Sequence, residues 1–287
     1  MEHHKYLIVG GGMTADSAIG GIRKVDPGGT VAMLCDERHP PYDRPPLSKA
    51  LWKDQAFESI WRDAHDLNVA IYPGRKAQAL DPLNKTVTDD DGNVYAYDKL
   101  LLATGGSVRH LPHVSGNIIY FRTVNDYLKL RELSERGSEF VVIGGGFIGS
   151  EIAAALAMNG KHVTMIFPSN GIGAHIYPQP LVEFLNAYYQ KKGVTVLASE
   201  TVDLVRTVGA KTIVTTASGR EISADGVVAG LGIQPNTELA KQAGLAVEDG
   251  IVVDELLRTS NADIYAAGDV ANFYSPALDK RLRVEHE

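Results

Sequence analysis

Two glycine-rich segments of the chain have the spacing of loops that bind phosphate groups. Three small residues in each follow a short apolar run and precede a helix-like stretch: Gly10, Gly12 and Ala15 in the first, Gly144, Gly146 and Gly149 in the second. In such a strand–loop–helix unit, the first glycine permits the turn, the second admits a pyrophosphate, and the third lets helix and strand pack closely. The helix amino terminus offers N–H groups and a positive dipole end. Each segment therefore predicts a dinucleotide site.

The elements around the two segments form a domain-sized internal repeat. Gly10 aligns with Gly144, and Gly12 with Gly146, at an offset of 134 residues. A second apolar run, a hairpin-like stretch and a buried run ending in glycine follow each copy. The last apolar run, 262–269, has no counterpart and is expected to complete the first domain. We expect an α/β fold of two Rossmann-like three-layer domains, the first formed by 1–115 and 248–287 and the second, 116–247, inserted into it.

Carboxylates distinguish the two copies. Asp36 and Glu37 stand at the end of the second strand of the first copy, where an acidic residue accepts ribose hydroxyls. A solvated strand end without a ligand is the alternative. The equivalent stretch of the second copy, around Ser169, has no carboxylate. The sequence therefore does not show whether the second site prefers NADH or NADPH. Two dinucleotides in one chain indicate a flavin and a nicotinamide, whereas a single loop of this type could be a tight turn only.

Composition excludes several functions. The net charge of −7 argues against a nucleic-acid or anionic-membrane surface, and no apolar run reaches the length of a membrane span. The amino terminus has no targeting pattern, so a cytoplasmic location is expected. Cys35 is the single cysteine, which excludes an internal disulfide and a cysteine-based metal site. We expect no metal site, and any electron chemistry must come from a bound cofactor.

Several further motifs carry a family resemblance. Residues 41–49 read Pro-Tyr-Asp-Arg-Pro-Pro-Leu-Ser-Lys, 103–106 read Ala-Thr-Gly-Gly, 230–236 carry Gly-x-Gly-x-x-Pro-Asn, and 267–269 read Ala-Gly-Asp. With the double repeat, these resemble the FAD-dependent pyridine nucleotide-disulfide oxidoreductases, in the branch of ferredoxin reductases and apoptosis-inducing factor that lacks the redox disulfide. The resemblance implies FAD and NAD(P)H as cofactors. It covers nearly the whole chain.

The resemblance also implies roles for particular residues. FAD would be held by Gly10, Gly12, Met13, Thr14, Ala15, Asp36, Glu37, Arg44, Lys49, Ala77, Ala103, Thr104, Gly105, Arg109, Gly268, Asp269, Glu285 and His286. The nicotinamide dinucleotide would be held by Gly144, Gly146, Phe147, Ile148, Gly149, Glu151, Ser169 and Gly232. Catalysis would fall to Lys49, which reaches towards the flavin N5 edge, to Glu151, which pairs with it, and to Phe147, which covers the flavin.

The Lys49–Glu151 pair also follows from helix chemistry. Glu151 comes two residues after the third glycine, in the first helical turn, where the dipole favours a carboxylate. An ammonium opposite it would keep both groups charged in a dry site. A helix-end glutamate and a surface lysine without further function are the alternative.

The expected function is hydride transfer from NAD(P)H to flavin N5, with electrons passed to an external acceptor: a ferredoxin-like protein, a quinone or oxygen. The alternative is an apoptosis-inducing-factor-like redox sensor with slow turnover. Family members continue for roughly one more domain, an interface domain of ordinary size. The sequence stops before such a domain, so we expect it to be part of a longer protein, with a homodimer as one option for the full-length form.

Overall fold

A computed structural model of the protein describes residues 1–62, 67–112, 114 and 116–285. The chain divides into two compact units. Unit 1 comprises Met1–Asp43, Glu58–Ser107 and Gln234–Glu287, and unit 2 comprises Arg44–Phe57 and Val108–Ile233. The short strands β7 (Gly106–Val108) and β16 (Ile233–Pro235) lie where the chain passes from one unit to the other.

Unit 1 is built on a mixed sheet in the order β3-β2-β1-β6-β5-β4, with β19 also pairing with β6. Strands β3, β2, β1, β6 and β19 run parallel, and β4 and β5 form an antiparallel extension. The helix α1 packs on this sheet through buried Ala15 and Ile19. The bounds are β1 Glu2–Val9, α1 Met13–Val25, β2 Val31–Cys35, β3 Ala70–Pro73, β4 Ala77–Asp81, β5 Thr86–Asp89, β6 Val94–Leu102 and β19 Ile264–Ala266.

The carboxyl-terminal part of unit 1 covers the other face of that sheet. A four-stranded sheet in the order β17-β18-β20-β21 and the helix α5 contribute apolar residues to one core with β1 and β6. The bounds are α5 Glu238–Gln242, β17 Val247–Glu248, β18 Gly250–Val252, β20 Ala271–Ser275 and β21 Lys280–Arg283. The sheet therefore has apolar layers on both sides, as a parallel sheet requires.

Unit 2 repeats the plan with a fully parallel five-stranded sheet in the order β11-β10-β9-β15-β8. An antiparallel sheet in the order β12-β13-β14 packs on it through a shared apolar core. Thr123 begins α2 with a capping box that it forms with Asp126. The bounds are β8 Ile118–Tyr120, α2 Val124–Arg136, β9 Glu139–Ile143, α3 Phe147–Met158, β10 His162–Phe167, α4 Gln179–Lys191, β11 Val194–Ala198, β12 Val202–Val208, β13 Lys211–Thr216, β14 Glu221–Ala224 and β15 Gly226–Ala229.

The segment Arg44–Phe57 belongs to unit 2 because its aromatic residues pack on that unit's helices. The Trp52 ring meets Tyr127 of α2 edge-on at 5.7 Å between centroids, and the Arg131 guanidinium lies over it. The Phe57 ring stacks on Tyr127 at 6.1 Å. Asn159, at the end of α3, donates a hydrogen bond to the Trp52 carbonyl. These contacts hold two short 3-10 helices, Pro45–Leu47 and Ala50–Trp52, against unit 2.

The predicted α/β class with two Rossmann-like domains is confirmed, and the differences are in the boundaries. Both glycine-loop helices begin directly after the second glycine, at Met13 and Phe147, earlier than the sequence predicts. Residues 44–57 and 108–115 were expected in the first domain and fall within unit 2, whereas 234–247 fall within unit 1. Leu239, Ala240 and Leu245 pack in the unit 1 core. Of the helices described, none combines the length and hydropathy that a bilayer span needs.

Candidate functional sites in the two glycine loops

The first glycine of each loop is required by the backbone. Gly10 and Gly144 have φ angles of +124° and +116°, which side chains of other residues rarely adopt. A Cβ on Gly10 would lie 2.1 Å from the Ala103 carbonyl oxygen, and one on Gly144 would lie 2.3 Å from that of Gly230. In both units the loop therefore turns against the end of a neighbouring strand of the same sheet.

The second glycine of each loop is not required by the protein itself. Gly12 and Gly146 are the N-caps of α1 and α3, with ordinary extended angles near φ −92° and −82°. Neither helix has a side-chain cap, and a Cβ on either glycine would meet nothing within 4 Å. In each unit this space lies at a helix amino terminus, where backbone N–H groups can donate hydrogen bonds to an anion. Both loops therefore fit a pyrophosphate.

Three neighbours define the surroundings of the first loop. A Cβ on Gly268, at φ +77°, would lie 2.4 Å from the Thr14 hydroxyl oxygen, so the turn at 268 lies directly on the start of α1. Asp36 is exposed at the carboxyl end of β2. Glu37 beside it accepts a 2.6 Å hydrogen bond from the Tyr42 hydroxyl. Of the residues predicted for the FAD site, Gly268 and Thr14 therefore lie side by side, and Asp36 and Glu37 follow β2 in the same unit.

A second group of predicted residues forms a hydrogen-bonded cluster with Asn236. The Thr104 hydroxyl donates to the Asn236 carbonyl at 2.8 Å, and the Asn236 side-chain amide donates to the Thr104 carbonyl at 2.9 Å. The Asn236 backbone N–H donates to the Gly105 carbonyl at 3.0 Å. Asn236 thereby fixes the turn that follows β6.

The remaining predicted FAD residues lie in different places. Ala77 begins β4, and the Asp269 carbonyl accepts a hydrogen bond from Arg283, which pairs with Glu285 at 2.9 Å. Two others belong to unit 2: Arg109, whose Nε donates to the Ile233 carbonyl, and Arg44, which donates to the Arg122 carbonyl. His286 lies outside the described residues.

The second loop is packed more tightly than the first. A Cβ on Gly149 would lie 2.1 Å from the Gly144 carbonyl oxygen, and a Cβ on Gly230 would lie 2.7 Å from the Gly149 nitrogen. Gly232 follows at φ +78°, and its carbonyl accepts from the Arg109 N–H. Ile148 lies against Gly230. No methyl group fits between the start of α3 and the ends of β9 and β15.

A cavity of about 210 Å³ opens beside the second loop. One wall is the loop and the first turns of α3; the other is the segment after β10 together with α4. The Gly173 N–H donates to the Gly145 carbonyl at 2.8 Å, which joins the two walls. Phe147 lies at the cavity with 52% of its surface exposed. The lining residues are Gly145, Gly146, Phe147, Ser150, Glu151, Ile172, Gly173, Ile176, Tyr177, Leu185 and Tyr189.

The predicted pair of Lys49 and Glu151 is formed within unit 2, beside this cavity. Lys49 Nζ lies 2.9 Å from Glu151 Oε2, and the Ser48 hydroxyl donates to the same oxygen at 2.7 Å. Glu151 lines the cavity, so a charged group of α3 faces the space beside the glycine loop. The side chain of Lys49 is 40% exposed.

Several residues at these sites are not among those the sequence predicts. Ser48 follows the proline pair within the recognisable 41–49 motif, but no local pattern indicates that it bonds Glu151. Tyr177 and Tyr189 line the cavity because α4 and the segment before it return to the loop. Ser169, predicted at the ribose, uses its hydroxyl to donate to the Gly171 carbonyl at 3.0 Å.

Cys35 has a packing role at the first loop. A Cβ on Gly11 would lie 2.7 Å from its Sγ, as one on Gly145 would lie 2.9 Å from the Phe167 ring in unit 2. Burial, with a smaller contribution from Glu37, raises the pKa of the Cys35 thiol to about 12. The thiol therefore stays protonated near neutral pH and does not act as a thiolate.

Comparison with known proteins identifies related chains. The sequence profile described as pyridine nucleotide-disulphide oxidoreductase matches residues 4–285. The ferredoxin–NAD(+) reductase component of the anthranilate 1,2-dioxygenase system of Burkholderia cepacia is 37% identical, over 99% of this chain and 72% of that protein. Mitochondrial apoptosis-inducing factor 1 of Dictyostelium discoideum is 33% identical, over all of this chain and 60% of that protein.

A solved structure agrees with these relatives. The crystal structure of the covalent putidaredoxin reductase–putidaredoxin complex matches with a TM-score of 0.94 and 32% identity, over 99% of this chain and 72% of that chain. The similarity therefore includes both units.

Proposed function

The chain belongs to the pyridine nucleotide-disulphide oxidoreductase family, and from that premise we propose that it passes electrons from NADH through FAD to a small electron-transfer protein. Family membership establishes the coarser part: the protein is an oxidoreductase that uses FAD and NAD(P)H. The electron donor, the acceptor and the residue roles are the proposal. The observation that carries it is the presence of two uncapped helix amino termini, each with free space at Gly12 or Gly146.

We assign FAD to the first loop. Its pyrophosphate would accept hydrogen bonds from the N–H groups at the start of α1, beside Gly12 and Thr14. Asp36, exposed at the carboxyl end of β2, would accept the adenosine ribose hydroxyls beside Glu37. The Gly268 turn lies against Thr14 and forms the opposite wall. These residues bind and orient the cofactor within unit 1.

We assign the nicotinamide dinucleotide to the second loop and its cavity. Gly146 would admit the pyrophosphate, and Phe147, half-exposed at the cavity, would move aside for the nicotinamide ring. Lys49 lies 2.9 Å from Glu151 at the cavity wall, where the carboxylate can accept a hydrogen bond from the bound nucleotide. When bound, the two cofactors supply the hydride chemistry, and the protein supplies position and charge.

NADH is the proposed donor because the second site lacks a cation for a 2′-phosphate. Residues 167–174, which follow β10 at the position of the ribose-binding residue, contain no lysine or arginine. A 2′-phosphate is normally met by an arginine in this region. The related ferredoxin reductase is also named for NAD(+).

A protein acceptor is proposed from the relatives and from the thiol chemistry. The relatives are named for ferredoxin or putidaredoxin. Cys35 is the single cysteine of the sequence, so no pair of thiols is present in it to form a disulfide relay for electrons. The reduced flavin must therefore deliver them to an external group.

Stopped-flow reduction of the full-chain holoprotein tests the proposal. We expect NADH to bleach the flavin absorbance in one fast phase, NADPH to do so at least tenfold more slowly, and a ferredoxin to restore the colour faster than air. A purified protein with no flavin spectrum, or one that NADH does not bleach, would contradict the proposal.

A redox sensor is the second candidate function, favoured by the similarity to an apoptosis-inducing factor over all of this chain. Such a protein would keep its reduced state for a long time and change its association with other proteins. Slow reoxidation by both air and ferredoxin, with a change in sedimentation on reduction, would favour the sensor over the reductase.

A further inference from the structure

We propose that Ser48 is the positioning residue of the second site: its hydroxyl holds the Glu151 carboxylate in the orientation that leaves the second oxygen, Oε1, available to the nucleotide. This inference rests on the proposed function. Lys49 places a positive charge beside the other oxygen, Oε2, whereas the Ser48 hydroxyl fixes the orientation of the carboxylate.

The two donors share one oxygen of Glu151. The Ser48 hydroxyl donates to Oε2 at 2.7 Å and the Lys49 ammonium lies 2.9 Å from the same atom. No described residue hydrogen-bonds Oε1 of Glu151. A carboxylate with one oxygen doubly engaged and one free presents a defined acceptor, since a charge-assisted hydrogen bond is short and directional. Because Glu151 lines the cavity, a bound nucleotide can reach this acceptor.

Ser48 is better placed than Lys49 to fix that orientation. Ser48 is 4% exposed, whereas the Lys49 side chain is 40% exposed. A lysine ammonium ends a flexible four-carbon chain and acts as a point charge. A serine oxygen is positioned by a single side-chain torsion, and burial restricts that torsion, so the Ser48 hydroxyl has far fewer alternative positions than the Lys49 ammonium.

The backbone of Ser48 is itself held to unit 2. It follows the 3-10 helix Pro45–Leu47, whose prolines restrict φ. Leu47 is buried, and its carbonyl accepts a 2.8 Å hydrogen bond from the Trp52 indole, which packs on α2. The Lys49 N–H closes the turn on the Pro46 carbonyl at 3.1 Å. Ser48 therefore connects a fixed segment to the first turn of α3.

Removal of the hydroxyl should weaken nucleotide binding and leave the fold intact. We expect Ser48→Ala to raise the KM for NADH about tenfold, the usual effect of losing a hydrogen bond to a charged group, with kcat within about threefold. Ser48→Thr, which retains the donor, should recover KM to within about threefold. The flavin content should not change in either variant.

Ser134→Ala is the matched control. Ser134 is also 4% exposed and lies in unit 2, but its hydroxyl donates within α2 to the Arg131 carbonyl. We expect its KM for NADH to equal that of the wild type. The melting temperatures of the two alanine variants then show how much of any effect is structural.

A double-mutant cycle on the full-chain holoprotein decides the question, with NADH as donor and ferricyanide as acceptor. If Ser48 acts through Glu151, Ser48→Ala should change KM about tenfold in the wild type and less than twofold in the Glu151→Gln background. An equal change in both backgrounds, or an unchanged KM in Ser48→Ala alone, would overturn the role of Ser48 and leave the proposed function standing. A wild-type protein that neither binds nor oxidises NADH would overturn both.

Discussion

The two glycine loops share one local chemistry but differ in how closely the protein packs around them. In unit 1 the third small residue is Ala15, and the neighbouring strand end is Ala103, so both methyl groups are accommodated. In unit 2 the corresponding contacts involve Gly149 and Gly230, where a Cβ would lie 2.1 Å and 2.7 Å from backbone atoms. The two repeats therefore differ in how much packing space they leave for a methyl group, while the first two glycines of each loop have similar backbone angles.

The two loops also differ in what covers them. The Gly268 turn lies on Thr14 at the first loop, whereas the second opens into a cavity with Phe147 half-exposed. A covered loop suits a resident cofactor, and an open one suits a nucleotide that enters and leaves in each turnover.

The largest expected effect comes from Gly149→Ala. A Cβ 2.1 Å from the Gly144 carbonyl oxygen must displace the loop that would hold the pyrophosphate, and a displacement that costs nucleotide binding about 3 kcal/mol weakens it about a hundredfold. We expect the KM for NADH to rise by about that factor, with FAD retained. The reverse change at the equivalent position, Ala15→Gly, should lower the free energy of unfolding by only about 1 kcal/mol. An unchanged KM in Gly149→Ala would show that the loops pack alike.

The next prediction compares the effects of neutralising one carboxylate on each of the two glycine-loop helices. Asp16 of α1 pairs with Arg62 at 2.6 Å, and Glu151 of α3 pairs with Lys49. Asp16→Asn should lower the free energy of unfolding by about 1–2 kcal/mol, because a charged hydrogen bond is lost. Its KM for NADH should stay within twofold of the wild type.

Glu151→Gln should show the opposite profile. We expect the KM for NADH to rise about tenfold with little change in melting temperature, since its role is in the cavity. Chemical denaturation and steady-state kinetics on both variants check the pair. If both substitutions change only the stability and leave the KM for NADH unaltered, Glu151 has no role in nucleotide binding.

A smaller effect is expected at the ends of the second strands. Ser169→Glu supplies the carboxylate that Asp36 supplies in unit 1, and should raise the ratio of kcat/KM for NADH to that for NADPH about five- to tenfold. Ser223→Glu, on the antiparallel sheet of the same unit, adds the same charge as a control. Equal ratios in the two variants would exclude Ser169 from the ribose subsite.

The smallest effect concerns acid stability, to which one aspartate in each unit contributes through a pKa lowered to about 2. The Lys211 ammonium at 2.6 Å, with backbone N–H groups at 138 and 139, lowers the pKa of Asp225 from 3.8 to about 2. Lys85 and Lys99 do the same for Asp263, again to about 2. Because the folded-state pKa lies below the unfolded one, this stabilisation is present above about pH 4 and is lost as the pH falls towards 2.

We therefore expect Asp225→Asn and Asp263→Asn each to have a lower free energy of unfolding than the wild type at pH 7, and a smaller deficit at pH 3. Urea denaturation of the variants and the wild type at the two pH values measures this deficit. A difference that is independent of pH would show that the loss is one of packing.

The two loops and their sheets could be predicted from the sequence because each is local in the chain. Strand, glycines and helix follow one another within about twenty residues, and the repeat at 134 residues confirms the pattern. The start of each helix at Met13 and Phe147 was missed because a glycine N-cap leaves no side-chain signal.

The parts that could not be predicted are long-range contacts. Residues 44–57 join unit 2 through the Trp52–Tyr127 contact, which connects positions 75 residues apart. The hydrogen bond from Ser48 to Glu151 depends on that contact. The cavity wall at Tyr177 and Tyr189 depends on the path of α4. No periodicity or spacing in a single sequence encodes these pairings.

The flavin-to-protein ratio of purified Gly12→Ala and Gly146→Ala tests the central claim most directly. Both methyl groups enter space that is free in the protein, so both variants should fold with wild-type melting temperatures once any contribution from bound FAD is accounted for. We predict that Gly12→Ala loses FAD on purification, whereas Gly146→Ala retains one FAD per chain and loses affinity for NADH. Equal flavin content in the two variants, or loss of flavin from Gly146→Ala alone, would contradict the assignment of one cofactor to each loop.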